Sequence, residues 1–266
     1  MNITALADLH ISHDYFVSSY KLEKFKRILH SSIPNNYDII LIAGDVFEHF
    51  APNYINVFST LDFLFNGKPV VFCLGNHEFA YENYNNVLST YKKMNDEYIK
   101  TTNKHNICCL DISNFYDITN TNYRIVGNVF WYDFSLNKNM LLMKGDILDN
   151  WLDSTIINFD PIKEHEICKQ NILNSINSNK NHILLTHTVP HIDLNAFSIN
   201  EPYSAYNAYS GVNDFLNAIK NNNFKWAFCG HTHIKESKVI HNINCVNIGN
   251  DYYFKTNKIT SFSFDI

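Results

Sequence analysis

Arginine is scarce in this chain. Only two of the 21 basic residues are arginines, Arg27 and Arg124, and 26 acidic residues bring the formal net charge to −5. This balance provides no broad cationic face for a polyanion. It therefore argues against the binding of duplex or other long nucleic acid.

Long apolar runs are also absent. No stretch approaches the roughly 20 consecutive apolar residues of a membrane-spanning helix, and the first ten residues, MNITALADLH, lack a basic segment followed by a long apolar one. We therefore expect no membrane span and no secretory leader.

Six cysteines lack paired zinc-site spacing, and most lie within apolar runs such as VVFCLG and WAFCG. This pattern predicts buried thiols in a reducing, cytoplasmic compartment.

The chain has no Gly-, Ser- or Pro-rich linker and no internal repeat. Its 266 residues, of which 45% are hydrophobic, are enough for one large core. We therefore predict a single domain over residues 1–266. The segment at about residues 131–181 is less regular, and we expect it to be an insertion over one edge of a sheet.

Short apolar runs rich in β-branched and aromatic residues recur along the chain. They are NITALAD, YDIILIAGD, KPVVFCLGN, YRIVGNVFW, NHILLTH, FKWAFCG and INCVNIGN. Continuous apolar runs of this length are typical of strands buried on both faces. The segments YKLEKFKRILHSSI, INVFSTLDFLF and VLSTYKKMNDEYIKTT show helical periodicity. The alternation predicts an α/β fold.

Side chains that bind metals stand where five of these runs end. The segments are ADLH at 7–10, AGDVFE at 43–48, GNHE at 75–78, LTH at 185–187 and GHTH at 230–233. The carboxyl ends of the strands form the ligand crevice of an open α/β sheet. Side chains that are far apart in sequence can therefore meet there.

These residue types suit a pair of divalent cations. Asp8 and His10 occupy alternate positions of an extended segment and so point the same way. Asp45 follows a glycine, and its two carboxylate oxygens can bridge two cations. Asn76 offers a carbonyl oxygen, and further imidazole nitrogens come from His187, His231 and His233. The mixed nitrogen and oxygen set suits Mn, Fe, Zn, Ni or Co and excludes an all-thiolate site.

Taken singly, each histidine is more often an ordinary surface or core residue than a ligand. The joint occurrence of all these residues at successive strand ends favours a metal site. The sequence resembles the calcineurin-like metallophosphoesterases, whose ordered signature is D-x-H, G-D-x-x-D/E, G-N-H-D/E, H and G-H-x-H. All five blocks are present, in order, between Asp8 and His233. The resemblance implies an αββα sandwich of two mixed β-sheets flanked by helices, with a binuclear metal site at the C-terminal ends of the strands.

The resemblance also implies which residues hold the two divalent cations. One cation would be bound by Asp8, His10, Asp45 and His233, and the other by Asp45, Asn76, His187 and His231. Mn²⁺ is the first expectation, with Fe, Zn, Ni, Co or Mg as alternatives. Two cations roughly 3.5 to 4 Å apart would activate a bridging water for hydrolysis of a phosphoester.

His77 lies beside a predicted ligand rather than being one. The resemblance implies that His77 donates a proton to the leaving oxygen or stabilises the pentacoordinate phosphorus that forms during the reaction. It also implies that Glu48 holds the second ring nitrogen of His77. The ordinary alternative for Glu48 is a solvated acid in a loop.

Departures from the family pattern bear on the substrate. Ser/Thr phosphoprotein phosphatases carry G-D-x-x-D-R-G and R-G-N-H-E, whose arginines grip the phosphate, whereas this chain has GDVFEHF and CLGNHE. Bidentate recognition of a monoester dianion by such arginines is therefore not available. We predict a phosphodiesterase acting on a small nucleotide-type substrate. The alternatives are a phosphomonoesterase or a nuclease with the same centre.

Three tyrosines, Tyr203, Tyr206 and Tyr209, recur every third residue in SINEPYSAYNAYSGV. Their rings could stack on the bases of a substrate. They could instead pack against other side chains and hold the loop in place, and the abundance of aromatic residues favours this alternative.

A hypothesis of another class is a non-catalytic binding scaffold. Such relatives usually lose ligands or the proton-donating histidine, and the retention of all of them argues against it. The sequence does not indicate an oligomeric state.

Overall fold

The computed structural model describes residues 1–15, 18–49, 55–136, 147–195, 203–250 and 258–266, without the side chains of residues 13, 19 and 203–205. Its strands are β1 (Asn2–Leu6), β2 (Ile39–Ala43), β3 (Val70–Cys73), β4 (Ile107–Cys109), β5 (Phe115–Asp117), β6 (Tyr123–Asn128), β7 (Asn181–Thr186), β8 (Phe224–Cys229), β9 (Glu236–Ile240), β10 (Ile243–Asn247) and β11 (Phe262–Asp265). Its α-helices are α1 (Ser19–Ser32), α2 (Val57–Leu64), α3 (Asn76–Phe79), α4 (Tyr84–Thr102), α5 (Leu110–Ser113), α6 (Pro161–Asn174) and α7 (Leu216–Ile219).

The strands of the described residues form two mixed sheets. The first has the order β11-β1-β2-β3-β4, in which β1 to β4 are parallel and β11 is antiparallel at the edge. The second has the order β5-β6-β7-β8-β10-β9, with parallel central strands and antiparallel β5 and β9 at the edges. This architecture confirms the predicted αββα sandwich.

The two faces of each sheet have different neighbours. Leu41 of β2 and Phe228 of β8 belong to an apolar cluster between the sheets. The next residue of β2, Ile42, belongs to the core formed with the helices, which includes Phe25 of α1 and Leu61 of α2. Because successive side chains of a strand point to opposite faces, both sides of the central strands are apolar.

Local signals fix where several helices begin and end. The Asp160 side chain accepts hydrogen bonds from the backbone N–H groups of Ile162 and Lys163, and Pro161 occupies the first turn of α6. Helix α4 ends at Asn103, which adopts the left-handed conformation with φ 55°. These signals bound the helices that cover the sheets.

All seven predicted apolar runs contain a strand, namely β1, β2, β3, β6, β7, β8 and β10. The irregular segment at 131–181 contains a 3-10 helix, Leu152–Thr155, and α6, while residues 137–146 lie outside the described part. The single domain stays a prediction.

All six cysteines are unpaired, five of them buried and Cys108 partly exposed. None of the helices in the described ranges is long and apolar enough to span a membrane.

Candidate metal centre

The predicted ligands lie at the C-terminal ends of five strands from both sheets. Asp8 follows β1, Asp45 follows β2 and Asn76 follows β3, whereas His187 follows β7 directly. The two histidines of the GHTH segment follow β8. The parallel order of these strands places their C-terminal ends along one edge of the sandwich. All seven predicted ligands therefore converge there.

The ligands form two groups. One consists of Asp8, His10 and His233, and the other of Asp45, His187 and His231. Within each group, one nitrogen or oxygen atom per residue lies within 4.8 Å of the others. The amide oxygen of Asn76 lies 3.0 Å from His187 Nε2 and so joins the second group.

Asp45 stands between the groups. Its Oδ2 lies 3.4 Å from His187 Nε2 and 3.8 Å from His10 Nε2. Burial alone would raise the pKa of Asp45, but the neighbouring histidines, led by His187, lower it below its ordinary value. Asp45 is thus a buried carboxylate with histidines on both sides, which is the arrangement that a bridging ligand needs.

Hydrogen bonds to carbonyl oxygens fix the tautomers in the second group. His187 donates from Nδ1 to the Ala43 carbonyl at 3.0 Å, and His231 donates from Nε2 to the Tyr209 carbonyl at 3.0 Å. Burial lowers the pKa of His231 to about 3, so its ring is neutral. His187 Nε2 and His231 Nδ1 lie 3.1 Å apart, and they are the ring nitrogens that the carbonyl contacts leave to coordinate a cation. A cation between these atoms would satisfy both.

The first group shows the same arrangement. His233 donates from Nδ1 to the Asn250 carbonyl at 2.6 Å, and His10 Nδ1 lies 3.1 Å from Glu48 Oε1. The two Nε2 atoms then face each other at 3.4 Å. Within the described residues, Asp8 Oδ2 is buried without a hydrogen-bond partner. An unpaired buried carboxylate oxygen is costly, so these atoms also fit a bound cation.

Glycines let the ligands approach one another. A Cβ on Gly44 would collide with the His187 ring, and a Cβ on Gly75 would collide with the Asp45 carboxylate. The glycines of the G-D and G-N-H blocks therefore make room for ligands that come from other strands. Sequence reasoning attributes only a tight turn to the glycine before Asp45.

Left-handed backbone occurs at most of the predicted ligands. Five of the seven predicted ligands have φ between 45° and 68°, namely Asp8, His10, Asp45, His231 and His233. Non-glycine residues rarely adopt this left-handed conformation, which costs free energy and is found most often at functional sites. The strain supports a binding role for these residues.

His77 and Glu48 form a charged pair beside the ligands. His77 donates from Nδ1 to Glu48 Oε2 at 2.9 Å, and its Nε2 lies 3.9 Å from Asp45 Oδ2. Burial lowers the pKa of His77, but Asp45 and Glu48 raise it more, to about 9. Burial likewise raises the pKa of Glu48, but hydrogen bonds from His10 and His77 bring it down to about 2. Glu48 is therefore not a freely solvated loop acid.

Asn250 is a site residue to which sequence reasoning assigns no chemistry. Besides its carbonyl contact with His233, it donates from Nδ2 to the Asp8 carbonyl at 3.1 Å. It is buried and lies just beyond β10. The signal that could have revealed it is its place in INCVNIGN, another apolar run that ends in polar residues.

The predicted tyrosines lie in a 3-10 helix, Tyr203–Tyr209. The side chain of Tyr203 is outside the described part. Tyr209 is fully buried, stacks on Trp151 at 4.9 Å and accepts a hydrogen bond from the Leu148 N–H, so its ring packs the loop. Tyr206 is partly exposed and lies 5.3 Å from the Trp151 ring. A stacking role for Tyr206 stays a prediction.

A two-sheet sandwich with imidazole and carboxylate side chains at its strand ends is the architecture of a metal-dependent phosphoesterase. The model of the calcineurin-like phosphoesterase family matches residues 1–235, and the chain belongs to this family.

No curated protein matches the chain in sequence. Among solved structures, the chain is similar to the phosphopantetheinyl hydrolase from Mycobacterium tuberculosis, with a TM-score of 0.65, 16% identity and coverage of 96% of this chain and 92% of that chain. It is also similar to the protein TT1561 of Thermus thermophilus, with a TM-score of 0.56, 14% identity and coverage of 98% and 97%. At these identities the similarity shows the fold alone.

Proposed function

We propose that this chain is a phosphodiesterase that hydrolyses a small nucleotide-type diester at a centre of two divalent cations. When bound, the cations would polarise the phosphate and activate the attacking water. The proposed ligand sets are Asp8, His10, Asp45 and His233 for one cation and Asp45, Asn76, His187 and His231 for the other. Mn²⁺ is the metal that we propose first, with Fe, Zn, Ni, Co or Mg as alternatives, since the donors are nitrogen and oxygen atoms without thiolate.

The observation that carries the diester proposal is the location of the two arginines. Arg124 binds Asp117 through two nitrogens and the Ser175 carbonyl through a third. It lies near the start of β6, whereas the site is at the opposite ends of the strands. Arg27 is exposed on α1. Neither guanidinium is available to clamp the second negative charge of a monoester, which favours the singly charged diester.

His77 is the proposed proton donor. Its charged ring is oriented by Glu48, and its Nε2 lies 3.9 Å from Oδ2 of Asp45, the proposed bridging ligand. A donor held in this way can protonate the leaving oxygen as the bond to phosphorus breaks. A charged ring can also steady the negative charge that develops on the phosphate.

An aromatic surface beside the second ligand group supports a nucleotide-type substrate. The Trp151 ring lies 6.4 Å from the His231 ring and is partly exposed, as is the neighbouring Tyr206. Aromatic rings of this kind can stack on a base.

The test is a comparison of substrates with purified protein in Mn²⁺. We expect kcat/KM for bis(p-nitrophenyl) phosphate to exceed that for p-nitrophenyl phosphate by at least about tenfold, and cyclic nucleotides to be better substrates than single-stranded DNA. His77→Ala should lower activity by about 10²- to 10⁴-fold on every substrate that the wild type hydrolyses. A preference for the monoester would overturn the argument from the arginines, and no hydrolysis of any substrate would favour a binding scaffold.

A further inference from the structure

Asn76 can serve as a ligand in only one of its two amide orientations. Its Oδ1 must face the cation, because the Nδ2 group carries only donors. In the structure, Oδ1 lies 3.0 Å from His187 Nε2, whereas Nδ2 donates to Asp153 Oδ1 at 2.8 Å. A carboxylate that accepts from Nδ2 selects this orientation over the reversed one.

Asp153 is itself held rigidly. It is 1% exposed, and its second oxygen, Oδ2, accepts hydrogen bonds from the Tyr132 hydroxyl at 2.8 Å and from Trp151 Nε1 at 2.9 Å. Each carboxylate oxygen thus has its own partners. The Tyr132 and Trp151 bonds fix the carboxylate, and the remaining oxygen is directed at Asn76.

The segment that carries Asp153 is joined to the chain around Asn76. The backbone N–H of Tyr81 donates to Thr155 Oγ1 at 3.0 Å, that of Ile157 donates to the Glu82 carbonyl at 2.8 Å, and that of Tyr84 donates to the Ile157 carbonyl at 3.1 Å. These bonds connect residues 155–157 to residues 81–84, just beyond α3. The irregular segment therefore has a defined place beside the candidate centre.

We infer that Asp153 is a positioning residue for the second cation: it holds the Asn76 amide with its oxygen toward His187 and the metal. This inference rests on the proposed metal centre, since it concerns one of the proposed ligands. No block of the family signature includes Asp153, and it acts on the reaction only through Asn76. The irregular segment thereby completes a ligand set whose other members come from strand ends.

Direct binding of Mn²⁺ to metal-free protein tests the inference. Equilibrium dialysis should give two Mn²⁺ per wild-type chain. Asp153→Ala should lower the affinity for one of these two Mn²⁺ ions by about 10- to 100-fold, the usual effect of losing a partner of a metal ligand. Trp151→Phe removes the indole N–H, which can only donate, so in that background Asp153→Asn can place its oxygen at Asn76 Nδ2 and its amide nitrogen at the Tyr132 hydroxyl. The double variant should therefore keep Mn²⁺ affinity within about threefold of Trp151→Phe alone. A role in stability alone would not distinguish the variants in this way.

Tyr132→Phe is the matched control. It removes one hydrogen bond to Asp153 Oδ2 but leaves the bond to Asn76, so its Mn²⁺ affinity should stay within about threefold of wild type. Asp153→Leu, which keeps the branched shape of the side chain, replaces Asp153→Ala if circular dichroism shows that the alanine variant does not fold. Wild-type Mn²⁺ affinity in the alanine or leucine variant, or a loss as large when Asp153→Asn is added to Trp151→Phe, would overturn the inference. Absence of Mn²⁺ binding in the wild type would instead overturn the proposed centre.

Discussion

His187 Nε2 and His231 Nδ1 face each other at 3.1 Å while each ring donates its other N–H to a backbone carbonyl. Because each ring commits one N–H to a carbonyl, the two nitrogens that face each other are the ones left to coordinate a cation. A cation bound by both would link β7 to the GHTH segment, so the stability of this part of the fold should respond to metal.

Mn²⁺ should stabilise the fold. A ligand that binds only the native state at about 100 times its Kd contributes about 2.7 kcal/mol, which for a chain of this size raises Tm by about 5–10 °C. Differential scanning calorimetry in Mn²⁺ and in EDTA measures this difference. His231→Ala should reduce it, because one ligand of the second group is lost. An equal Tm for the wild type in both buffers would argue against the centre.

The metal-free protein should lose stability in acid partly through His231. Burial lowers the folded-state pKa of this histidine to about 3, whereas the unfolded value is about 6.5. Because the unfolded chain binds the extra proton, the contribution of His231 is fully present above pH 6.5 and is lost as pH falls toward 3.

Urea unfolding in EDTA between pH 7 and pH 5 measures this contribution. His231→Gln should flatten the slope of unfolding free energy against pH by up to about 1.4 kcal/mol per pH unit. The control is His105→Gln, which changes an exposed histidine and should leave the slope as in the wild type. The same slope in wild type and His231→Gln would mean that His231 accepts a proton freely in the folded state.

Glu48 should set the alkaline limit of the reaction. The proposed acid, His77, has its pKa raised to about 9 by Asp45 and Glu48, and it donates only while protonated, so kcat/KM should fall as pH rises through this pKa. Bound cations oppose the shift, which makes 9 an upper bound. Glu48→Gln removes the negative charge, so the fall should begin at least about one pH unit lower. A pH–rate profile of both proteins with the same diester decides this, and coincident alkaline limbs would contradict the role.

The predictability of the strands follows from burial. The central strands read as continuous apolar runs because both faces are covered, as in IILIA of β2, where every residue is buried. Two of the edge strands carry no such run: β5 is FYD and β11 is FSFD, with exposed residues alternating along both. No apolar run predicts such short, half-exposed strands, and they pair only because a sheet edge is available.

The predictability of the site has a similar limit. The ligands stand in motifs at strand ends, so spacing and residue type were sufficient to select them. Asp153 and Asn250 act through hydrogen bonds to those ligands, from positions 77 residues after Asn76 and 242 residues after Asp8. Only the folded chain brings them into contact, and a lone Asp or Asn in sequence carries no sign of it.

Asp45 should be required for both cations, because it is the ligand that lies between the two groups. Asp45→Ala is expected to reduce bound Mn²⁺ from about two per chain to near zero, measured by elemental analysis after dialysis. The matched control is Asp111→Ala. Asp111 is a partly buried aspartate outside the proposed ligand sets, and it accepts hydrogen bonds from the backbone N–H groups of Leu74 and Val129.

Loss of Asp111 leaves buried N–H groups unpaired and should cost about 1–3 kcal/mol of stability for each, while Mn²⁺ binding at saturating concentration persists. This control separates general destabilisation from loss of a ligand. Two bound Mn²⁺ in Asp45→Ala would contradict a bridging role.

Gly44 and Gly67 provide a matched pair for testing how closely the ligands approach. Both have φ +76°, so alanine at either position meets the same left-handed backbone strain, about 1–2 kcal/mol. At Gly67 the nearest atoms to an added Cβ are Asp62 Oδ1 and Lys104 Nζ at 3.9 Å, whereas at Gly44 the Cβ would overlap the His187 ring. Gly44→Ala should therefore displace His187, lose more stability than Gly67→Ala and lower Mn²⁺ affinity, while Gly67→Ala keeps wild-type affinity. Chemical denaturation and Mn²⁺ titration of both variants measure these effects, and equal Mn²⁺ affinities would mean that His187 does not need the space beside Gly44.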